Sequence, residues 1–366
     1  MVGCYVHVPF CARRCGYCDF NTAVLGTSGL TPGGWLTGLR QEIATAESAP
    51  LATVFFGGGT PTLLGASLLA DALDALRQQF GLTPGAEVTV EANPETVTEP
   101  LLDDLLAAGF TRLSLGMQSG DEAVLAVLDR AHRPGQAVWC VEAAKRAGFK
   151  DVSLDLIYGT PGESLDSWRG TLETALAVAP THISCYALIV EPGTPLARRI
   201  ERGELAAPDD DLTADMYLAA DDLLSAAGLA WYELSNWALQ GHECRHNMVY
   251  WLSDDWLGFG PGAHSHVARR RWWNHRSSRR WAAALERGES PVAGSELIDD
   301  TMAHEETVLL RLRLRTGLPL TELTPTETAR LPRFLDDALL IEDAGNLVLT
   351  STGRLLADKV VRDLLD

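Results

Sequence analysis

The sequence has little positive charge. Its 30 Lys and Arg residues are outnumbered by 49 Asp and Glu residues, and the formal net charge at pH 7 is −19. A protein that binds a phosphate backbone needs lysine and arginine side chains to neutralise the phosphates, and this chain shows no basic stripe beyond short clusters at 269–271 and 279–280. We therefore do not expect nucleic acid among its partners.

The sequence also lacks a segment that resembles a membrane anchor or a secretion signal. Its longest uncharged runs are broken up by Gly, Pro, Ser and Thr, whereas a membrane helix needs about 20 predominantly apolar residues. No basic region precedes the first apolar residues, and a cysteine motif follows them directly, which is unlike a signal peptide. We predict a cytoplasmic protein that does not span a membrane.

The cysteines are few, odd in number and unevenly distributed. Of the seven, three lie within eight residues, at Cys11, Cys15 and Cys18. This crowding argues against a secreted disulfide scaffold, because such a scaffold normally pairs an even number of cysteines. The pattern instead indicates metal ligation in a reducing compartment.

The first 195 residues repeat one pattern, in which a short apolar run is followed by a turn and a longer helical stretch. This alternation predicts an α/β fold with a parallel sheet covered by helices. The expected strands are 3–8, 52–56, 87–91, 111–115, 151–157 and 182–189. We divide the chain into a sheet domain at 1–195, a site-bearing extension at 196–300 and a small winged-helix-like domain at 301–366, since 366 residues exceed one ordinary domain.

Three thiolates at this spacing are suited to a [4Fe-4S] cluster. They bind three corners of the cube and leave the fourth iron open to a substrate, whereas an electron-transfer cluster normally has four cysteines. Structural zinc is the main alternative, with Cys4 or His7 as the fourth ligand. In a regular strand Cys4 faces away from His7, which leaves His7 as the more plausible of the two.

Cys11-x3-Cys15-x2-Cys18 after a first strand resembles the signature of the radical S-adenosylmethionine (SAM) superfamily. The run Gly-Gly-Gly-Thr-Pro at 57–61 is similar to the glycine turn of that superfamily, which contacts the amino group of the methionine moiety. Glycines let the backbone approach a ligand closely, although such a run alone is more often a tight turn. The resemblance implies a partial (βα)6 TIM-like radical SAM barrel with an extension and a small C-terminal domain.

The order of the motifs resembles a narrower group, the oxygen-independent coproporphyrinogen oxidases and their relatives. The matching motifs are Tyr5-x-His7-x-Pro9-Phe10-Cys11, Gly-Gly-Gly-Thr-Pro, Glu91-x-Asn93-Pro94, Gly116-Met117-Gln118-Ser119 and Asp155-Leu156-Ile157-Tyr158-Gly159-x-Pro161. By position, the resemblance implies that SAM is held by Tyr5, Gly58, Gly59, Thr60, Glu91, Gln118, Arg130 and Asp155. Their types fit, since Glu91 and Asp155 can accept ribose hydroxyls or pair with the cationic end of SAM, and Arg130 can bind its carboxylate. Taken singly, each is equally well explained as a hydrogen-bonded residue at a barrel mouth.

The sequence departs from the oxidases after the third cysteine. Oxidases have another cysteine two residues beyond it, where this chain has Phe20, and they have an N-terminal segment before the first strand that this sequence does not show. Cys-Asp-Phe-Asn together with His246-Asn247-x-x-Tyr250-Trp251 resembles instead the heme chaperone branch of the group. That resemblance implies a heme site with His246 as axial donor and ring surface from the two aromatics. The alternative is a capped turn in which the aromatics simply pack.

Two functions of different classes remain. In the first, the chain binds heme and transfers it to an acceptor protein, while the cluster and SAM tune or trigger the transfer. In the second, the cluster receives an electron from a donor protein and reduces the sulfonium, and the 5′-deoxyadenosyl radical then acts on a porphyrinogen or on the substrate of a radical methyltransferase. We favour the heme chaperone because Phe20 replaces the additional cysteine of the oxidases.

Overall fold

The computed structural model describes residues 1–47 and 49–366. In chain order the strands are β1 (Val2–Val8), β2 (Phe10–Cys11), β3 (Ala23–Val24), β4 (Leu51–Gly58), β5 (Leu82–Ala92), β6 (Arg112–Gln118), β7 (Asp151–Tyr158), β8 (His182–Ala187), β9 (Ala230–Glu233), β10 (Asn236–Ala238), β11 (Asp255–Phe259), β12 (His264–Val267), β13 (Arg270–Asn274), β14 (Val292–Leu297), β15 (Leu318–Pro319), β16 (Leu340–Asp343) and β17 (Asn346–Leu349). The α-helices are α1 (Pro32–Ala44), α2 (Gly65–Phe80), α3 (Glu99–Ala108), α4 (Glu122–Val127), α5 (Gln136–Ala147), α6 (Leu165–Ala177), α7 (Pro195–Glu201), α8 (Asp210–Ala226), α9 (Arg245–Trp251), α10 (Ser278–Glu286), α11 (Asp300–Arg311), α12 (Pro325–Asp336), α13 (Ser351–Leu355) and α14 (Ala357–Leu365). Short 3-10 helices occupy Pro61–Leu64, Pro94–Thr96 and Leu320–Glu322.

Six parallel strands form the centre of one large sheet. They are β1, β4, β5, β6, β7 and β8, and each pairs with the next in that order. These are the strands expected from the sequence, although β5 begins five residues earlier, at Leu82, and β8 ends two residues earlier, at Ala187. The predicted α/β fold is confirmed.

The sheet continues beyond these strands on both sides. β11 pairs with β1 in parallel, and β12, β13 and β14 follow as an antiparallel ribbon. On the other side β10 and β9 are added to β8 in antiparallel orientation. All of these strands come from residues 196–300, which we expected to carry site residues but not to extend the sheet. Sequence reasoning missed β11 because Asp-Trp-Leu-Gly-Phe lacks the β-branched residues that favour a strand.

The two faces of the sheet differ in polarity because successive side chains of a strand point to opposite faces. In β6, Leu113 and Leu115 belong to the hydrophobic core that includes residues of α2, α3 and α5. Arg112 and Ser114 alternate with them and are also buried. Arg112 lies within 3.9 Å of both Glu87 and Asp151. The inside of the barrel is therefore polar and charged.

A buried carboxylate connects the extension to the first helix of the barrel. Glu42 of α1 accepts hydrogen bonds from the backbone N–H of Gly260 at 2.9 Å and from Nε1 of Trp281 at 3.0 Å. The side-chain amide of Asn274 donates to the other carboxylate oxygen. Burial raises the pKa of Glu42 to about 7. Residues far apart in the chain therefore share one buried acceptor.

The C-terminal residues form a second hydrophobic core. It is built from helices α11, α12 and α14 and from the antiparallel sheet β15–β17–β16, and it contains Val308, Leu331, Phe334 and Leu347. Arg354 joins this unit to the barrel, because its Nη1 donates to Asp221 of α8 at 3.0 Å. The domain boundaries at residues 195 and 300 stay a prediction. No helix among the described residues has the length and apolar character required to cross a membrane.

Candidate functional site

A cavity of about 610 Å³ opens at the carboxyl ends of the parallel strands. Ligand sites of parallel α/β folds form at this edge of the sheet. The lining residues used below are Cys11, Arg13, Arg14, Cys15, Cys18, Asp19, Phe20, Gly58, Gly59, Thr60, Glu91, Gln118, Arg130, Asp155, Tyr186, Ile189, Glu191 and Asn247. The cavity therefore brings the three motif cysteines together with the strand-end motifs.

The loop that carries the cysteines is fixed by contacts from distant segments. Cys11 lies in β2, which pairs with β3, and the backbone N–H of Gly16 donates to the carbonyl of Leu128 at 3.2 Å. The side-chain amide of Asn21 donates to the carbonyl of Pro261 at 2.9 Å. The loop thus depends both on the barrel and on the segment that follows β11.

The thiols of the loop lie close enough to influence one another. Burial raises the pKa of Cys11, and it raises the pKa of Cys18 to about 11, with a further increase from neighbouring Cys15 in each case. Iron stabilises thiolates, so a bound cluster would offset this cost. Three partly buried thiols around an open cavity fit three ligands of a [4Fe-4S] cluster.

The zinc alternative finds no fourth ligand here. Cys4 is fully buried in the hydrophobic core of the barrel. The ring nitrogens of His7 are both occupied, Nδ1 by the hydroxyl of Tyr5 at 3.0 Å and Nε2 by the carbonyl of Asn21 at 2.9 Å. Across residues 1–47 and 49–366, no three His, Cys, Asp or Glu side chains converge on a single ion. The closed four-ligand geometry of structural zinc is not formed.

The glycine turn after β4 passes directly over the cysteine strand. The backbone N–H groups of Gly59 and Thr60 donate to the carbonyls of Val8 at 2.8 Å and Phe10 at 2.7 Å. A Cβ atom on Gly59 would lie 2.3 Å from the Phe10 oxygen, and one on Gly58 would lie 2.5 Å from the His7 ring. Gly58 also has a φ of +111°, which L side chains rarely adopt. Glycine is therefore required at positions 58 and 59 by the packing of the turn, in addition to the close approach that a bound ligand would need.

Two half-buried carboxylates face the same cavity. Oε2 of Glu91 accepts the backbone N–H of Gly58 at 3.1 Å, and Asp155 accepts the hydroxyls of Ser114 and Ser184, each at 2.8 Å. Burial, with a smaller contribution from Asp155, raises the pKa of Glu91 to about 8. Burial also raises the pKa of Asp155. A ligand with hydroxyl donors or positive charge would stabilise the ionised form of both carboxylates, and SAM has both kinds of group.

Arg130 lies between the cysteine loop and the acidic residues. Its Nη2 donates to Oδ1 of Asn93 at 2.7 Å and to the carbonyl of Gly116 at 2.9 Å, and its Nη1 donates to Sγ of Cys15 at 3.4 Å. Among the described residues its buried Nε has no hydrogen-bond partner. The position suits a guanidinium that binds a ligand carboxylate beside the cluster.

Two further candidates differ in their placement. Gln118 ends β6 with a φ of +63°, an uncommon conformation outside glycine, and lines the cavity beside Gly116. Tyr5 does not line the cavity, because its ring stacks on Phe55 at 6.3 Å and its hydroxyl bonds to His7. Of the eight predicted SAM residues, the structure brings seven to the cavity, whereas Tyr5 stacks on Phe55 and is not part of the lining.

The geometry agrees with the comparison to known proteins. A family model described as the radical SAM superfamily matches residues 5–175. The heme chaperone HemW of Mycobacterium tuberculosis H37Rv is 51% identical, and the alignment covers 99% of this chain and 94% of that protein. The chain belongs to the HemW family of radical SAM proteins. Membership implies a [4Fe-4S] cluster and SAM.

Other relatives agree with this assignment. HemW of Escherichia coli K12 is 38% identical over 72% of this chain and 69% of its own length. Among solved structures, coproporphyrinogen III oxidase (HemN) from Escherichia coli matches with a TM-score of 0.86, covering 99% of this chain and 89% of that chain. The two sequences are only 22% identical, so this match shows the fold alone.

In this HemW-family chain, the imidazole predicted to bind heme is not free. His246 is 1% exposed and stacks on Phe55 at 5.2 Å. Its Nδ1 bonds to the hydroxyl of Thr53 and its Nε2 to the hydroxyl of Tyr250, each at 2.8 Å. Burial lowers the pKa of His246 to about 3. We expected a neutral imidazole with a nitrogen available to heme; the ring is neutral, but both of its nitrogens are engaged.

The rest of the predicted heme segment packs near the amino-terminal ends of β1 and β4, here called the barrel floor. The segment lies in α9, whose first N–H groups donate to Glu87 near the start of the sheet. Asn247 lines the cavity, but Tyr250 packs edge-to-face on Trp256 at 4.9 Å and Trp251 is half-buried. The segment therefore closes the barrel floor, and only one of its four predicted heme residues reaches the cavity.

Sequence reasoning missed two side chains at the cavity mouth. Tyr186 and Ile189 are 42% and 68% exposed and line the mouth together with Phe20, which is 63% exposed. The sequence assigns both to the end of a buried strand, because apolar character continues through 188–190. No local signal distinguishes an apolar strand end that emerges at a cavity from one that stays covered.

Proposed function

We propose that this protein is a heme chaperone, which binds heme and passes it to an acceptor protein while it carries a [4Fe-4S] cluster and SAM. The observation that carries the proposal is Phe20, which places an exposed aromatic ring at the cavity mouth two residues after Cys18. The oxidases that the sequence resembles have a thiol at that position. The names of the curated relatives, heme chaperone HemW, support the same function.

The cavity residues fit both cofactors. Cys11, Cys15 and Cys18 would hold the cluster, and the strand-end residues Gly58, Gly59, Thr60, Glu91, Gln118, Arg130 and Asp155 would hold SAM. A reduced cluster supplies one electron when it is bound. The residues of this chain would orient the ligand and offer it two half-buried carboxylates and one guanidinium.

The proposed function requires two protein partners and a reducing compartment. An acceptor must take the heme, and an electron donor must reduce the cluster. We infer a cytoplasmic location, because all seven cysteines are unpaired and three of them are arranged for a cluster.

A hemin titration tests the function. Anaerobically reconstituted protein should bind about one equivalent of hemin and develop a Soret band, while coproporphyrinogen incubated with reductant and SAM should remain unchanged. Cys18→Ser is the matched control for the cluster, since it should lose cluster absorbance. Failure to bind hemin would overturn the proposal. Conversion of coproporphyrinogen with stoichiometric deoxyadenosine would establish the oxidase instead.

A further inference from the structure

The floor of the barrel is closed to heme in this structure. Axial ligation by His246 would require its ring to leave both Thr53 and Tyr250 and to turn away from Phe55. The aromatic residues of the segment are likewise occupied, because Tyr250 packs on Trp256. A planar ligand needs apolar surface that is already accessible, and the floor does not provide it.

The mouth of the cavity does provide such a surface. Phe20, Tyr186 and Ile189, here called the apolar rim, come from the cysteine loop, from β8 and from the residues that directly follow β8. They are among the large hydrophobic side chains of the chain that are exposed to solvent. Exposed apolar residues that surround one cavity mark a ligand or partner site more often than scattered ones do.

The guanidinium of Arg14 lies at the same mouth, close enough to Cys18 that its charge tends to lower the pKa of that thiol. Arg14 lines the cavity and is exposed, and in the part of the chain that the structure describes no hydrogen bond or ion pair engages it. Arg13, the adjacent residue, pairs with Asp129 at 3.0 Å. Asp19 and Glu191 also line the mouth, so its overall charge is mixed. Arg14 is the group available to a ligand carboxylate.

We propose that heme binds across the mouth of the cavity, with one face of the macrocycle on the apolar rim and a propionate on Arg14. This inference rests on the proposed function and adds the location. Heme combines a large planar apolar face with two carboxylates, which matches an apolar rim beside an unpaired guanidinium. Bound in this way, heme covers the cysteine loop and the entrance to the SAM site.

Variants of the apolar rim test the contact with the macrocycle. Phe20→Ser and Ile189→Ser should each weaken hemin binding about tenfold, because each removes a large apolar side chain from the interface. Leu297→Ser is the matched control, since Leu297 is 77% exposed on the edge strand β14, and it should bind hemin as the wild type does. Cluster absorbance, recorded before each titration, shows that the cysteine loop is intact.

A second pair of variants tests the contact with the propionate. Arg14→Gln should weaken hemin binding roughly tenfold, because a charge-assisted hydrogen bond is lost. Hemin dimethyl ester has no carboxylate to pair with Arg14, so the wild type and Arg14→Gln should bind this ester with the same affinity. Arg169→Gln, which alters a half-exposed arginine on α6 outside the cavity lining, serves as the control and should leave both affinities unchanged.

A floor variant separates this inference from the proposed function. His246→Gln should retain wild-type hemin affinity if heme binds at the mouth. The mouth site would be overturned if the apolar-rim and Arg14 variants bound hemin as tightly as the wild type and His246→Gln did not bind it. The heme chaperone function would still stand in that case. A wild-type protein that binds no hemin would overturn the function itself.

Discussion

The affinity for SAM should rise with pH because of Glu91. Burial and Asp155 raise the pKa of this carboxyl group to about 8, so it is mostly protonated in the ligand-free protein at neutral pH. A ligand that donates hydroxyl groups or brings positive charge favours the ionised form. If SAM binds beside Glu91 as proposed, it should displace a proton from this carboxyl group, and binding should strengthen as fewer protein molecules carry that proton.

The magnitude follows from the ionised fraction. With a pKa of about 8, roughly 1% of the Glu91 side chains are ionised at pH 6 and roughly 9% at pH 7. The dissociation constant for SAM should accordingly fall about tenfold over this unit of pH. Anaerobic calorimetric titrations at the two pH values measure it, and the range avoids the α-amino group of SAM, whose pKa lies near 8.

Two variants make the prediction specific. Glu91→Gln keeps the shape of the side chain but cannot titrate, so its affinity for SAM should be nearly the same at pH 6 and pH 7. Glu99→Gln alters a carboxylate that is 61% exposed on α3, and it should retain the slope of the wild type. A wild-type affinity that does not change with pH would refute the reasoning, and a slope that persists in Glu91→Gln would assign the proton to another group.

Two further predictions concern the stability of the fold around the cavity. In a urea titration, Gly58→Ala should lower the free energy of unfolding by ~1–3 kcal/mol, because residue 58 has a positive φ and the added methyl group would contact His7. Gly33→Ala is the control: it lies in α1 with open space around it, and it should be neutral or stabilising. Because the pKa of Glu42 is raised in the native state, Glu42 holds its proton there at pH values at which it is ionised in the unfolded chain. The contribution of Glu42 to the free energy of unfolding should therefore fall by about 2 kcal/mol from pH 5 to pH 7. In Glu42→Gln this component should disappear, and an unchanged pH dependence would contradict its assignment to Glu42.

The central sheet can be predicted from the sequence because its signals are local. Strands such as β4 and β7 are short apolar runs bounded by turn residues, and the motifs at their ends fix where the site forms. β11 carries no comparable signal. Its place beside β1 depends on pairing across about 250 residues of chain, which no local pattern encodes.

The state of His246 shows where motif reasoning reaches its limit. The hydrogen bond with Tyr250 can be anticipated, since residues four apart on a helix are neighbours. The bond with Thr53 cannot, because that residue lies 193 positions earlier and meets the ring only in the folded barrel. The motif therefore predicts the aromatic neighbourhood of His246 but not the loss of its free nitrogen.

The contact between Asn21 and Pro261 has a consequence for the order of events during synthesis. The carbonyl that holds the cysteine loop lies 240 residues after the amide that it binds, and β11, which covers the open edge of β1, is also made late. At about 5–20 residues per second, a ribosome needs some tens of seconds to add that stretch. During this interval the cysteine loop lacks its contact with Pro261. We therefore expect the cluster to be bound stably only after most of the chain has been synthesised.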